Sequence, residues 1–149
     1  MNSEWFECKV RFDKTMETGL LKKVTETYMV DALSFTEAER RFLEEITPFI
    51  SGEFTVTDIK RARIAEIIEN TDAAADRWFK AKVAYITLDE KTGAEKRTNQ
   101  SILVQATDFQ NSLKTLDKGM EGTLGEWVIV SITETPIMDI FHYKKVDSE

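Results

Sequence analysis

Between Trp5 and Phe12 the apolar residues Phe6, Cys8, Val10 and Phe12 alternate with Glu7, Lys9 and Arg11. That period of two predicts a strand with one face buried. A second stretch, opening on Trp78, repeats the alternation with Phe79, Ala81, Val83 and Tyr85 inward and Lys80 and Lys82 on the other face. The polar run Asp89-Glu90-Lys91-Thr92-Gly93 that follows suits a hairpin whose glycine takes the left-handed conformation. Second strands are predicted from Lys22 to Leu33 and from Lys96 to Thr107. Ser34-Phe35-Thr36-Glu37 has the spacing of a capping box, so a helix begins there with Phe35, Ala38, Phe42 and Ile46 as its apolar stripe. Asp108 caps a similar helix with Phe109, Leu113, Leu116 and Met120 as the stripe. The β-branched and aromatic runs Phe54 to Ile59 and Trp127 to Ile132 predict third strands. Ile64 to Ile68 and Ile137 to Phe141 form a fourth strand or a continuation, with Pro136 placing the last one at an edge or after a bend.

These parallels run from end to end. Trp5-Phe6-Glu7-Cys8-Lys9-Val10 recurs as Trp78-Phe79-Lys80-Ala81-Lys82-Val83, with four of six positions identical. Gly19 then meets Gly93, Lys22-Lys23 meets Lys96-Arg97, Ser34-Phe35 meets Asp108-Phe109, and Ile64 and Ile67 meet Ile137 and Ile140. Such order over a whole chain is the signature of an internal repeat. The predicted fold class is α+β: two tandem ββαβ(β) repeats, 4–68 and 77–141, with pseudo-twofold symmetry, a linker 69–76 and a C-terminal tail 142–149. Together they are expected to form one barrel-like or two-sheet domain over residues 1–149, because closure of the half-sheets removes exposed edges.

At 149 residues and 42% hydrophobic, the chain can bury a core without disulfide or metal staples. A formal charge of -7 argues against a globally basic nucleic-acid or membrane binder. The single cysteine, Cys8, falls on the inward face of a strand where its counterpart is Ala81, and reads as core. The single histidine, His142, falls in the tail. Neither a metal site nor a histidine-based catalytic centre is expected, and no cofactor or phosphate-binding motif is present. Carboxylate pairs such as Glu44-Glu45 and Asp89-Glu90 fall on a solvated helix face and a hairpin tip, so a non-enzymatic protein is expected. No leader and no apolar run of membrane-spanning length stands in the sequence, which reads as cytoplasmic.

Charge is not evenly spread. Residues 78 to 107 carry five basic and three acidic side chains, whereas the helical segments 34 to 53 and 108 to 126 are net acidic. Trp5 and Trp78 both fall on the strand face opposite the core, beside lysines. Aromatic rings in a moderate basic field are what single-stranded nucleic acid binders offer to bases and phosphates. The candidate contacts are Trp78, Lys80, Lys82, Lys96 and Arg97, with Trp5 and Lys9 as the pseudo-symmetric set. Set against this, a tryptophan at the start of a strand also folds over the end of a core, leaving the lysines as ordinary solubilising residues. The alternative function is a protein-interaction or assembly domain with no nucleic-acid role, and the oligomeric state is left open.

The Arg77-Trp78-Phe79-Lys80 signature, the duplicated layout and Thr-Glu-Thr-Pro at 133 to 136 resemble a bacterial and phage family of about this length that is classed as of unknown function. The resemblance covers nearly the whole chain and implies a phage or mobile-element context, without an activity or catalytic residues. The first copy departs from the signature as Glu4-Trp5-Phe6-Glu7, losing both basic residues.

Overall fold

A computed structural model of the chain describes residues 4–142. The elements are β1 (Glu4–Thr15), β2 (Leu21–Ala32), α1 (Phe35–Ile46), a 3-10 turn (Thr47–Phe49), β3 (Phe54–Ala62), β4 (Glu66–Ile68), β5 (Arg77–Leu88), β6 (Glu95–Ala106), α2 (Phe109–Gly119), β7 (Glu126–Glu134) and β8 (Ile137–Phe141). They build an α+β architecture of two four-stranded sheets, ordered β3-β1-β2-β8 and β4-β6-β5-β7. The described residues divide into two compact units, one of residues 4–63 with 136–142 and one of residues 64–135. Of the sequence-predicted tail, residues 143–149 lie outside the described residues.

In the first unit β1 and β2 pair antiparallel over their full length, from Glu4 opposite Ala32 to Thr15 opposite Leu21. Gly19 closes the hairpin with φ of 84°, a conformation that glycine adopts without the Cβ penalty. The face carrying Phe6, Cys8, Val10 and Val30 is covered by Ala38, Phe42 and Ile46 of α1. Ser34 caps that helix by accepting the Glu37 N–H at 3.1 Å. The Glu37 carboxylate returns to the N–H of Leu33, one residue before the cap, at 3.3 Å.

The second unit is assembled in the same manner. β5 and β6 pair from Arg77 opposite Ala106 to Leu88 opposite Glu95. Gly93 turns the connecting loop at φ of 71°. There the Asp89 carboxylate accepts the N–H groups of Lys91 at 2.8 Å and Thr92 at 3.1 Å. These donors stabilise the charged form and hold its pKa below the ordinary aspartate value. Ala81, Val83, Ile102 and Val104 pack beneath Leu116 and Met120. Asp108 caps α2 by accepting the Asn111 N–H at 2.7 Å.

Two details of the predicted helices are corrected. Phe35, Phe109 and Leu113, expected within the apolar stripes, are 47%, 55% and 41% exposed. The buried stripes are narrower, Ala38, Phe42 and Ile46 in α1 and Ser112, Leu116 and Met120 around α2, each at a spacing of four. Phe35 and Phe109 are the first helical residues, and their rings lie at the rim, 4.9 and 6.3 Å from the rings of Phe6 and Phe79. Ser112 is tolerated inside because its hydroxyl donates to the Phe109 carbonyl.

The fourth strands take neither of the simplest routes. β4 follows β3 in sequence yet lies parallel to β6, with Ile67 opposite Leu103. β8 follows β7 yet lies parallel to β2, with Met29 opposite Ile140. Only Thr135 and Pro136 separate β7 from β8. A two-residue hairpin turn needs positive φ at its first residue, here the β-branched Thr135, and a type I′ turn needs it at Pro136 as well, so this connection disfavours a tight hairpin between β7 and β8.

Candidate functional site

Side-chain parity on the strands places Trp78, Lys80, Lys82 and Ala84 on the face of β5 opposite α2, as the alternation predicts. That face is not uniformly wet. Trp78 is 2% exposed, and Leu103 and Ala84 on the same face are equally buried. The expectation that the Trp78 indole turns to solvent is therefore corrected. A strand can bury side chains on both faces, and a period-two pattern identifies only the more apolar one. A signal was present in Ala84, Ile86 and Leu103, apolar residues that share the parity of Trp78.

Lys80 and Lys82 are exposed and have no ion-pair partner among the described residues. Arg97, opposite Ile86, shares their face and lies 3.8 Å from Glu95. It stands about 13 Å from Lys82 along the strand direction, at roughly 3.3 Å per residue. Lys96, opposite Thr87, falls on the other face of the sheet. Of the five candidates in this unit, then, Lys80, Lys82 and Arg97 form one exposed cationic row, Lys96 points away from it, and Trp78 is sealed beneath the surface.

In the first unit Lys9, the counterpart of Lys82, and its neighbours Lys60 and Arg61 are held by carboxylates. Lys9 lies 4.0 Å and Lys60 3.8 Å from the Glu7 carboxylate. Arg61 pairs with Glu4 while its guanidinium rests over Phe6 and Phe35, 5.8 and 5.3 Å from their ring centroids. Trp5 is half-buried and meets the His142 ring edge-on at 5.3 Å. Lys22 and Lys23 project to opposite faces, opposite Lys14 and Asp13. Lys23 shares its face with Lys9 and Arg11, and neither Arg11 nor Lys23 has an ion-pair partner among the described residues.

Two features carry no signature in the sequence. In the first unit Phe12, Leu21, Phe49, Ile50 and Met138 line a groove of about 500 Å³, rimmed by Asp13, Lys14 and Glu26. Phe49 is 75% exposed, Leu21 68% and Met138 49%. The groove runs beside an open sheet edge: β8 pairs with β2 only from Thr27 to Val30, leaving residues 21–26 without a strand on that side among the described residues. In the second unit a polar cleft of about 500 Å³ lies between residues 68–71 and α2. Its centre is Asn70, whose amide donates to Asn111 at 3.0 Å and to Thr115 at 3.1 Å. The groove is assembled from β1, β2, the 3-10 turn and β8, and Asn70 comes from the stretch that reads as a plain linker, so no local pattern marks either feature.

Burial pushes the Cys8 thiol up to about 12, assisted by the Glu7 and Asp58 carboxylates. A thiol so disposed is a core side chain and a poor nucleophile. Tyr28 donates to Glu26 at 3.0 Å, and its hydroxyl is raised above the usual value by burial, by that bond and by the charges of Glu26 and Asp139. Among the described residues no group of three metal-ligating side chains converges. Among the described residues no helix is long and apolar enough to cross a membrane.

No curated protein and no solved structure matches the chain. A family model does, over residues 4–143, and the chain thereby belongs to the family described as a domain of unknown function, DUF4494.

Proposed function

We propose that this protein is a non-enzymatic interaction module whose first unit receives an extended peptide segment of a protein partner. The observation that carries this reading is the pairing of the Phe49, Leu21 and Met138 groove with the open edge of β2 at residues 21–26. An unpaired strand edge supplies main-chain hydrogen bonds to an incoming strand, and an adjoining apolar groove selects its side chains. An aromatic ring left three-quarters in water gains most by being covered. A random-peptide display library selected on the intact chain tests the reading. Enriched sequences should be apolar at alternate positions and should bind the Phe49→Glu variant at least tenfold more weakly. No enrichment, or binding indifferent to Phe49 and Leu21, would reject it.

A second reading, single-stranded nucleic acid binding, is favoured by the exposed, unpaired Lys80 and Lys82 with Arg97 on the same face. Without an accessible Trp78 it rests on phosphate contact rather than base stacking, which implies weak, salt-sensitive affinity. Fluorescence anisotropy of a labelled oligothymidine at low salt should report binding that Lys80→Ala with Lys82→Ala abolishes. Equal binding by that double variant would remove this reading. The finer architecture belongs here too: residues 4–68 and 77–141 are tandem copies of one ββαβ(β) unit related by a pseudo-twofold axis. Supporting this, both third strands carry a register shift at the same place, opposite Lys9 and Val10 in β3 and opposite Lys82 and Val83 in β7. The bacterial and phage setting implied by the resemblance, and a cytoplasmic location, are compatible with either reading.

A further inference from the structure

Each sheet is completed by a strand carried on the other half of the chain. The first unit takes β8 from the C-terminal half, and the second takes β4 from the N-terminal half. The two docked strands are alike. Each lies parallel to the second strand of its host, and each places an isoleucine opposite corresponding positions, Ile140 opposite Met29 and Ile67 opposite Leu103.

Each is also latched where it leaves the sheet. After β8, the carbonyl of His142 accepts Arg41 Nη2 at 2.9 Å, and the same guanidinium donates to the Asp31 carbonyl and lies 4.0 Å from Glu37. Just before the latch, Phe141 stacks on Tyr28 with ring centroids 5.6 Å apart. After β4, Asn70 bonds to Thr115, Asn111 and Gln105. Under the sequence alignment of the two halves, Asp31, Glu37 and Arg41 stand at the positions of Gln105, Asn111 and Thr115. The chemistry differs: on one side Arg41 alone reaches the strand exit and is itself held by the Asp31 carbonyl and Glu37, and on the other all three corresponding side chains bond Asn70 directly. The polar cleft at Asn70 is thereby accounted for as a strand latch.

We infer that the outer edges of β2 and β6 are reciprocal docking slots, and that the two half-chains are each other's binding partners, a strand-exchanged pair joined by the covalent linker. The covalent connection through residues 69–76 is then dispensable for holding the molecule together, because neither half owns a complete sheet. A chain with only one half would have to pair with a second copy to fill its slot.

The test uses the full chain with a protease recognition sequence inserted between Ala73 and Ala74, both exposed, in a Cys8→Ala background that copies Ala81. After cleavage the two pieces should elute together at the mass of the intact 17.1 kDa protein. Three cysteine pairs then locate the strands. Met29→Cys with Ile140→Cys, and separately Ile67→Cys with Leu103→Cys, should oxidise so that the cleaved pieces run as one band without reductant. Leu103→Cys with Ile140→Cys should retain two titratable thiols, since that disulfide forms only if β8 sits in its own half's sheet. Closure of the last pair with both crossing pairs open, or separation of the cleaved pieces on the column, overturns the inference. The two crossing pairs probe different units, so failure of one variant to fold leaves the other to decide.

Discussion

Trp5 and Trp78 are each the second residue of a twelve-residue strand, on the face opposite the helix, yet Trp5 is half-buried beside His142 whereas Trp78 is 2% exposed. The cations around them differ in the opposite sense. Lys9, Lys60 and Arg61 are held by Glu7 and Glu4, while Lys80 and Lys82 stand without carboxylate partners among the described residues. At the strand position next to the tryptophan the first unit has Glu4 where the second has Arg77, and two residues further Glu7 where the second has Lys80. One framework thus supports two electrostatic surfaces. Glu7 and Glu4 hold Lys9, Lys60 and Arg61 in surface ion pairs, each worth about 0–1 kcal/mol in stability, while Arg11 and Lys23 on the same face have no carboxylate partner among the described residues.

The contrast can be broken most forcefully at the indoles. Trp78→Ala should cost about 3–5 kcal/mol in urea unfolding, as expected for removing a fully buried aromatic ring, and Trp5→Ala less than half of that. Equal losses would mean that the two positions are packed alike. The helix caps should behave in the reverse way, as a point of equivalence. Ser34→Ala and Asp108→Ala each remove one acceptor from a first-turn N–H and should each cost about 1 kcal/mol. The third probe is pH. Cys8 titrates at about 12 in the folded protein, above the ordinary thiol value, so the unfolded chain loses this proton first. Stability from this group is complete below the ordinary thiol pKa of about 8.5 and should fall as pH rises through it toward 12. Cys8→Ala should flatten that part of the pH profile, matching the Ala81 side. Thiol reagents should leave the folded wild type unmodified over hours. The smallest effect belongs to the exposed row: Lys80→Ala with Lys82→Ala should shift stability by no more than about 0.5 kcal/mol. A larger loss would show that those lysines are structural rather than free for a ligand.

Much of the local structure is legible in the sequence. The alternation around Phe6, Cys8 and Val10, the hairpin glycines Gly19 and Gly93 and the cap at Ser34 depend on neighbours in sequence, and each appears in the structure where it was read. Less legible were the roles of side chains whose surroundings come from elsewhere. Alternation places Trp78 on its face, but the burial of that face depends on Leu103 and Ala84 as well. Lys96 and Arg97 read as one basic pair, and adjacency in a strand sends them to opposite faces. Phe49, Leu21 and Met138 come together from a 3-10 turn, β2 and the residue after the start of β8, a combination no window along the chain contains.

By itself the sequence determined which segments are strands and helices and where they turn, because those properties follow from side-chain periodicity and from backbone conformations that particular residues favour. Only the tertiary structure decided which sheet receives each fourth strand and whether the second face of β5 meets water. The reason is that Ile64 to Ile68 and Ile137 to Phe141 present nearly the same apolar pattern to two edges with nearly the same backbone. Discrimination between such edges lies in connection length, in Pro136 and in latches such as Arg41 and Asn70, which act only once distant parts of the chain have met.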